Sequence, residues 1–199
     1  QPLGQNISTI GEKSLTNKVS GAFFQSVTTR TAGFASFNQK AMLESSAIMS
    51  ILLMFIGGSP AGCAGGVKTT TFSLLILTTL AEIKGDTNIN IFKKRISINA
   101  LRKAIAIVVI ALLWISTTVL LLTIFENHSF IDLLFETVSG LSTVGLTRDI
   151  TSSLKNISKI IIAITMYLGR VGPMTLVLAF SNKKSKKKYR ETLGNIIVG

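Results

Sequence analysis

Histidine, cysteine and tryptophan each occur once in this sequence, proline occurs three times, and nine acidic residues face twenty-one lysines and arginines. The single Cys63 excludes an internal disulfide and any cysteine spacing for a metal site. With His128 as the one histidine, no nucleophile–base pair or metal-ligand cluster can be assembled, so hydrolytic chemistry is not expected and the chain does not read as an enzyme. Asp132 and Glu136 form an i,i+4 pair on one face of a short helix, and without such company they read as external-mouth or structural charges. No cleavable signal peptide is visible, because residues 1–20 are polar and lack an apolar core. Gln1 in place of Met suggests a piece of a longer protein.

Also lacking are charges within several long stretches. Hydrophobic residues make up 47% of the chain and mean hydropathy is +0.52, yet net charge is +12. Apolar spans with cations in the connections between them give a membrane protein that combination. The clearest span, 104–125, runs about 22 residues without a charge, enough at ~1.5 Å per residue to cross a ~30 Å hydrocarbon core. Further spans are expected at 41–56, 67–83 and 154–180, the last interrupted by Gly169, Arg170, Gly172 and Pro173. Two shorter runs, 21–28 and 129–139, are too short to span and read as re-entrant half-helices. Lys84, Lys93, Lys94, Arg95, Arg102 and Lys103 fall in one connection, and Lys183, Lys184, Lys186, Lys187, Lys188 and Arg190 follow the last span. Both clusters belong on the cytoplasmic side, which closes the topology. They read as solvated, topology-setting loops. Anionic lipid or an acidic patch on a cytosolic partner is the alternative, whereas nucleic acid is not expected without interleaved aromatics.

A shift of 112 positions brings the chain onto itself: Phe23 meets Phe135, Thr31 meets Thr143, Gly33 meets Gly145, Met54 meets Met166 and Gly57 meets Gly169. Each unit reads as a half-helix, a Thr-small-Gly-apolar segment, then a span with a glycine near its middle. Such repeats place a binding path where they meet. Extended backbone at membrane depth must face protein or a water-filled path. Thr31-Ala32-Gly33-Phe34 and Thr143-Val144-Gly145-Leu146 would there turn carbonyl oxygens toward a cation.

The stretch GGSPAGCAGGVKTTT, 57–71, looks at first like a phosphate loop. Val67 separates Gly66 from Lys68, and an apolar span rather than a strand precedes it, so the nucleotide motif fails. Its glycines and Pro60 instead break a helix too long for one bilayer, at ~1 kcal/mol per Gly and ~3 kcal/mol for Pro. Lying beneath the filter-like segment, it is a candidate gate, with a simple kink as the alternative. The candidate gating residues are Gly57, Gly58, Ser59, Pro60, Ala61, Gly62, Gly65, Gly66 and Lys68, the lysine at the lower end. Arg170, at the repeat-equivalent place of Gly58, adds an ionisable group within a span, which marks function.

These residues and their order resemble the Trk/Ktr/HKT superfamily of potassium transporters, most closely the pore subunit of the Ktr system, over nearly all of 15–199. The resemblance implies an all-α membrane protein of helix–pore-loop–helix repeats. This chain would hold the third repeat without its first helix (15–84), a basic cytoplasmic connection (85–103), the whole fourth repeat (104–182) and a basic tail (183–199). It implies potassium at the backbone carbonyls of Thr31, Ala32, Gly33, Thr143, Val144 and Gly145, possible sodium dependence, and no bound cofactor. An intramembrane gating loop held closed by Arg170, a homodimer with 192–199 at its interface, and a cytosolic nucleotide-binding regulatory subunit are implied as well. Arg30 is expected either behind the filter against Glu136 or exposed at the outer mouth. The competing functions are a truncated or vestigial membrane assembly subunit, and a secondary carrier with a midplane site.

Overall fold

The computed structural model describes residues 15–60, 64–85, 90–91 and 94–172. The fold is helical, in the order α1 (Leu15–Thr28), a 3-10 turn at Gln39–Ala41, α2 (Glu44–Phe55), α3 (Thr69–Ile83), a two-residue hairpin of β1 (Asn90–Ile91) and β2 (Lys94–Arg95), α4 (Ile98–Phe125), α5 (Phe130–Leu141) and α6 (Asn156–Val171). Among the described residues, α4 is the one helix long and apolar enough to cross a membrane. Its 28 residues give ~42 Å. It begins six residues before the charge-free run, because Ser97 caps it by accepting from the Ala100 N–H at 3.3 Å. Arg102 and Lys103 are thereby carried in its first turns, where long basic side chains can reach a polar interface.

The other apolar runs form shorter helices than expected. α2 stops after 12 residues at Phe55, where the glycine-rich loop begins, α3 runs for 15 residues, and α6 is described for 16. α1 reaches back to Leu15, well before the apolar run at 21–28.

α5 is the centre of the bundle. It packs against α2, α4 and α6, and Leu133 and every residue from Phe135 to Leu141 are buried. α4 buries a side of small and branched residues (Ala104, Ala111, Ile115, Thr118, Val119, Leu122). Its exposed side carries Val109, Leu112, Leu113, Leu120 and Ile124. Large aliphatic side chains cover most of the exposed side, broken by the hydroxyls of Ser116, Thr117 and Thr123, while Thr118 lies inward; so apolar an exposed side suits lipid better than water. At the α4–α6 contact the Trp114 indole N–H donates to the Thr165 hydroxyl at 3.2 Å, and Thr118 and Thr165 lie 3.4 Å apart. Such hydrogen bonds join helices where apolar packing has no solvent to expel.

α2 and α6 start at Glu44 and Asn156, themselves 112 residues apart. At the amino-terminal end of α6, Glu126 follows α4 and accepts from the Lys155 backbone N–H at 2.7 Å, while the Lys155 ammonium donates to the Phe125 carbonyl at 2.6 Å. Lys155 is the N-cap of α6 and makes no cap bond with its own side chain, so the carboxylate of another helix takes that place. The buried Ser158 hydroxyl, facing the carboxylate outside hydrogen-bond geometry, and the Lys155 N–H hold the Glu126 carboxyl below the usual glutamate range.

Candidate ion-path segments and the loop beneath them

Two segments follow the half-helices, and their backbones share an unusual shape. Thr31 and Gly33 have φ of 69° and 72°, and Thr143 and Gly145 have φ of 53° and 89°. Ala32 and Val144 between them are not in the left-handed region. A threonine at positive φ is a steric outlier held only by its surroundings. In a strand, successive peptide groups point to opposite sides; residues of alternating hand gather the N–H groups on one side, with the carbonyls on the other.

Four of the N–H groups bond to the helix ends that precede them. Ala32 N–H and Gly33 N–H both donate to the Thr28 carbonyl at 3.2 Å, at the end of α1. Thr143 N–H donates to Gly140 O at 3.1 Å and Val144 N–H to Ser139 O at 2.9 Å, at the end of α5. The carbonyl side is different: among the described residues no protein group donates to the carbonyls of Thr31, Ala32, Gly33, Thr143, Val144 or Gly145. Six acceptors thus lie beyond the carboxyl ends of two half-helices, whose dipoles favour positive charge there.

The two segments adjoin. The Thr31 hydroxyl donates to Ser142 O at 3.4 Å, and a Cβ placed on Gly33 would overlap the Val144 carbonyl oxygen. Glycine is required at 33 by this approach as well as by φ. A Cβ on Gly145 would meet nothing within 4 Å in this chain. Phe34 is 71% exposed, whereas its counterpart Leu146 is buried with Val144 in the core.

The glycine-rich loop folds back beneath the second segment. Its ends pair, Gly57 N–H donating to Val67 O at 2.8 Å and Val67 N–H to Phe55 O at 3.1 Å, and Gly57, Gly65, Gly66 and Val67 are buried. Gly65 N–H donates to the Thr143 hydroxyl at 3.1 Å, and a Cβ on Gly65 would lie 2.6 Å from that oxygen and 2.8 Å from Ser142 O. Ser59 and Pro60 are exposed and Gly58 half-buried; the Lys68 ammonium donates to the Ala64 carbonyl within the loop. A helix, α2, leads into the loop where a phosphate loop would follow a strand. Ala61, Gly62 and Cys63 lie outside the described residues, as do 173–199 with the basic tail and the expected interface segment. Arg170 stands in the last turn of α6 and is exposed.

Arg30 takes the exposed alternative: it forms no ion pair with Glu136, whose carboxylate instead accepts from the Thr151 hydroxyl. The cation that pairs near α5 is Arg148, with Nε 2.8 Å from Asp132 Oδ1. Sequence reasoning passed over Arg148, although an arginine three residues past Gly145 opposite an acidic half-helix was a usable signal. Gln25 and Gln39 were also missed; their amides exchange hydrogen bonds of 2.9 and 3.3 Å and tie the first segment's return to α1. No charge marked them.

The family described as TrkH, a cation transport protein, matches residues 4–191. The chain is 36% identical over 194 residues to Ktr system potassium uptake protein B of Bacillus subtilis, covering 98% of this chain and 43% of that protein. It is 34% identical over 178 residues to Ktr system potassium uptake protein D of the same organism, covering 89% and 40%. It is 33% identical over 201 residues to the potassium/sodium uptake protein NtpJ of Enterococcus hirae, covering 98% and 45%. The chain spans less than half the length of these relatives. With two adjoining left-handed Thr-x-Gly segments and a family match over most of its length, the chain belongs to the TrkH family of cation transport proteins and is not an enzyme.

Proposed function

We propose that this chain forms part of the wall of a membrane pore that conducts potassium, with 31–34 and 143–146 as two segments of its selectivity filter. The observation that carries the proposal is the shared alternation of φ at Thr31/Gly33 and Thr143/Gly145, with the N–H groups of Ala32, Gly33, Thr143 and Val144 bonded to the preceding helix ends and the carbonyls left without donors among the described residues. Carbonyls so arranged replace the hydration shell of a permeant cation, and their number and spacing discriminate between ions. The names of the relatives, two for potassium uptake and one for potassium and sodium, support potassium as the main cargo and a sodium influence on it. The apolar outer side of α4 supports a lipid-embedded, multi-pass subunit.

The 56–68 loop acts as the gate in this proposal. It touches the second filter segment from below through Gly65, and small residues let it withdraw with little steric work. Arg170, two residues before Gly172 at the end of α6, restrains it through loop carbonyls. A second copy of the subunit and a cytosolic nucleotide-binding regulator complete the assembly. The test is growth of a potassium-uptake-deficient strain at micromolar potassium when given the complete gene product. Growth that depends on the protein supports the assignment; failure to grow with the protein present in the membrane overturns it.

A further inference from the structure

Behind the second filter segment, two successive turns of α5 hold the chain that leaves Gly145. Asp132 takes the Arg148 Nε at 2.8 Å, and the Arg148 Nη2 reaches on to the Lys40 carbonyl at 3.3 Å, in the return loop of the first unit. One turn further along α5, Glu136 accepts from the Thr151 hydroxyl, which lies 2.8 Å from that of Thr147. Each hydroxyl has one proton, so with Thr151 bound to the carboxylate, Thr147 donates to Thr151. Glu136 and Arg148 are 6% and 7% exposed; Glu136 Oε2 and Arg148 Nη1 have no hydrogen-bond partner among the described residues, and Arg148 Nε pairs with Asp132 by charge and distance without hydrogen-bond geometry. Buried charges left partly unsatisfied are costly to keep.

The first unit builds the same backbone without them. Subtracting 112 from Asp132, Glu136, Thr147, Arg148 and Thr151 gives Ser20, Phe24, Ala35, Ser36 and Gln39, none of them charged. There the return is held by the neutral Gln25–Gln39 pair and by the Thr28 hydroxyl, which donates to Phe34 O at 2.7 Å. Left-handed Thr and Gly occur in both units, so charge is not needed to make the filter shape. Its place is at the outer end of one segment, and in the Arg148 side chain, which reaches from that end to the Lys40 carbonyl of the neighbouring unit.

We propose that Glu136 and Arg148 are positioning residues that fix the outer end of the second filter segment and, through the Lys40 carbonyl, its register against the first, so that ion preference depends on them more than throughput does. The proposal rests on the pore assignment above and deepens it. Small displacements of carbonyls alter the balance between ions of different radius, whereas the gate below sets how many ions pass.

The test uses the complete gene product in proteoliposomes, reading rubidium uptake as KM, Vmax and inhibition by sodium. Thr151→Val unhooks Glu136 while preserving volume at an exposed site, and so avoids the folding risk of Glu136→Gln. Arg148→Lys retains a cation for Asp132 and loses the reach to Lys40. Losing one hydrogen bond to a buried charge is expected to raise the rubidium KM about tenfold. In Thr151→Val and Arg148→Lys, preference over sodium falls in parallel while Vmax per protein holds. A fall in Vmax with KM and preference unchanged overturns the proposal, as does wild-type behaviour of both variants. Gly145→Ser, run alongside, separates the two levels. If it abolishes preference while Thr151→Val and Arg148→Lys do not change it, only the positioning role fails. If the wild type shows no preference, or Gly145→Ser keeps it, the pore assignment fails and the positioning role with it.

Discussion

Replacing Gly65 by alanine presses the loop against the second proposed filter segment at one point. The new Cβ would stand 2.6 Å from the Thr143 hydroxyl, 2.8 Å from Ser142 O and 2.9 Å from Ser142 C, where ordinary contact begins near 3.4 Å. Relief therefore demands a retreat of about 0.5–0.8 Å, and because two of the three atoms are backbone, the loop moves rather than the filter. The same retreat stretches the Gly65 N–H bond to Thr143 from 3.1 Å to beyond hydrogen-bond length. Losing that bond costs ~0.5–1.5 kcal/mol, and overpacking adds ~1–3 kcal/mol, part of it relieved by the movement. A net loss of ~1–3 kcal/mol from the closed arrangement alone shifts the closed-to-open ratio roughly 5- to 150-fold. Rubidium efflux from loaded vesicles without any activating regulator reads this directly. Gly65→Ala is expected to raise basal efflux while rubidium preference over sodium stays intact. Equal or lower efflux at matched protein amount would refute a closed plug resting on the filter.

Thr165→Val leaves the Trp114 indole N–H without its acceptor and parts Thr118 from its neighbour. Detergent unfolding should show a loss of ~0.6–1.7 kcal/mol, the range for buried interhelical hydrogen bonds in membranes. Gly33→Ala combines a left-handed φ, costing ~1–2 kcal/mol, with overlap of the Val144 carbonyl. It should reduce folded protein recovered from membranes far more than Gly145→Ala, whose Cβ points into open space. Glu126 carries a sign: its carboxyl is held low by Ser158 and the Lys155 N–H. Its stabilisation is thus complete above the ordinary glutamate value of ~4.3 and fades as pH falls through the lower folded value. Thermal melts should show Glu126→Gln less stable than wild type at pH 7, with the gap closing below about pH 4; a gap constant with pH would contradict the clasp.

Features that depend on local chemistry were legible in the sequence. The short helices, the break after Phe55 and the repeated Thr-x-Gly could be read because glycine suits the left-handed backbone at 33 and 145, and because threonine recurs 112 positions apart at 31 and 143 although that backbone disfavours it. Helix boundaries were less legible. α4 extends past Arg102 and Lys103 because a basic side chain near a helix end does not end the helix, so a charge-free window reads short. α1 begins at Leu15 although Thr16, Asn17, Lys18 and Ser20 dilute its apolar pattern. Polar partnerships were the least legible. Glu126 meets Lys155 across 29 positions, and Arg148 rather than Arg30 faces α5, because a return loop brings together residues no local spacing relates.

The most direct measurement of the central claim is the ion preference of Gly145→Ser in the complete gene product, read as rubidium uptake against sodium competition in proteoliposomes. Serine at φ 89° strains the backbone that turns the Val144 and Gly145 carbonyls, and its side chain enters the open space beside them. The account predicts wild-type uptake that prefers rubidium strongly over sodium, and a variant that inserts in the membrane, still conducts, and has lost that preference. Undiminished rubidium preference in Gly145→Ser would contradict it.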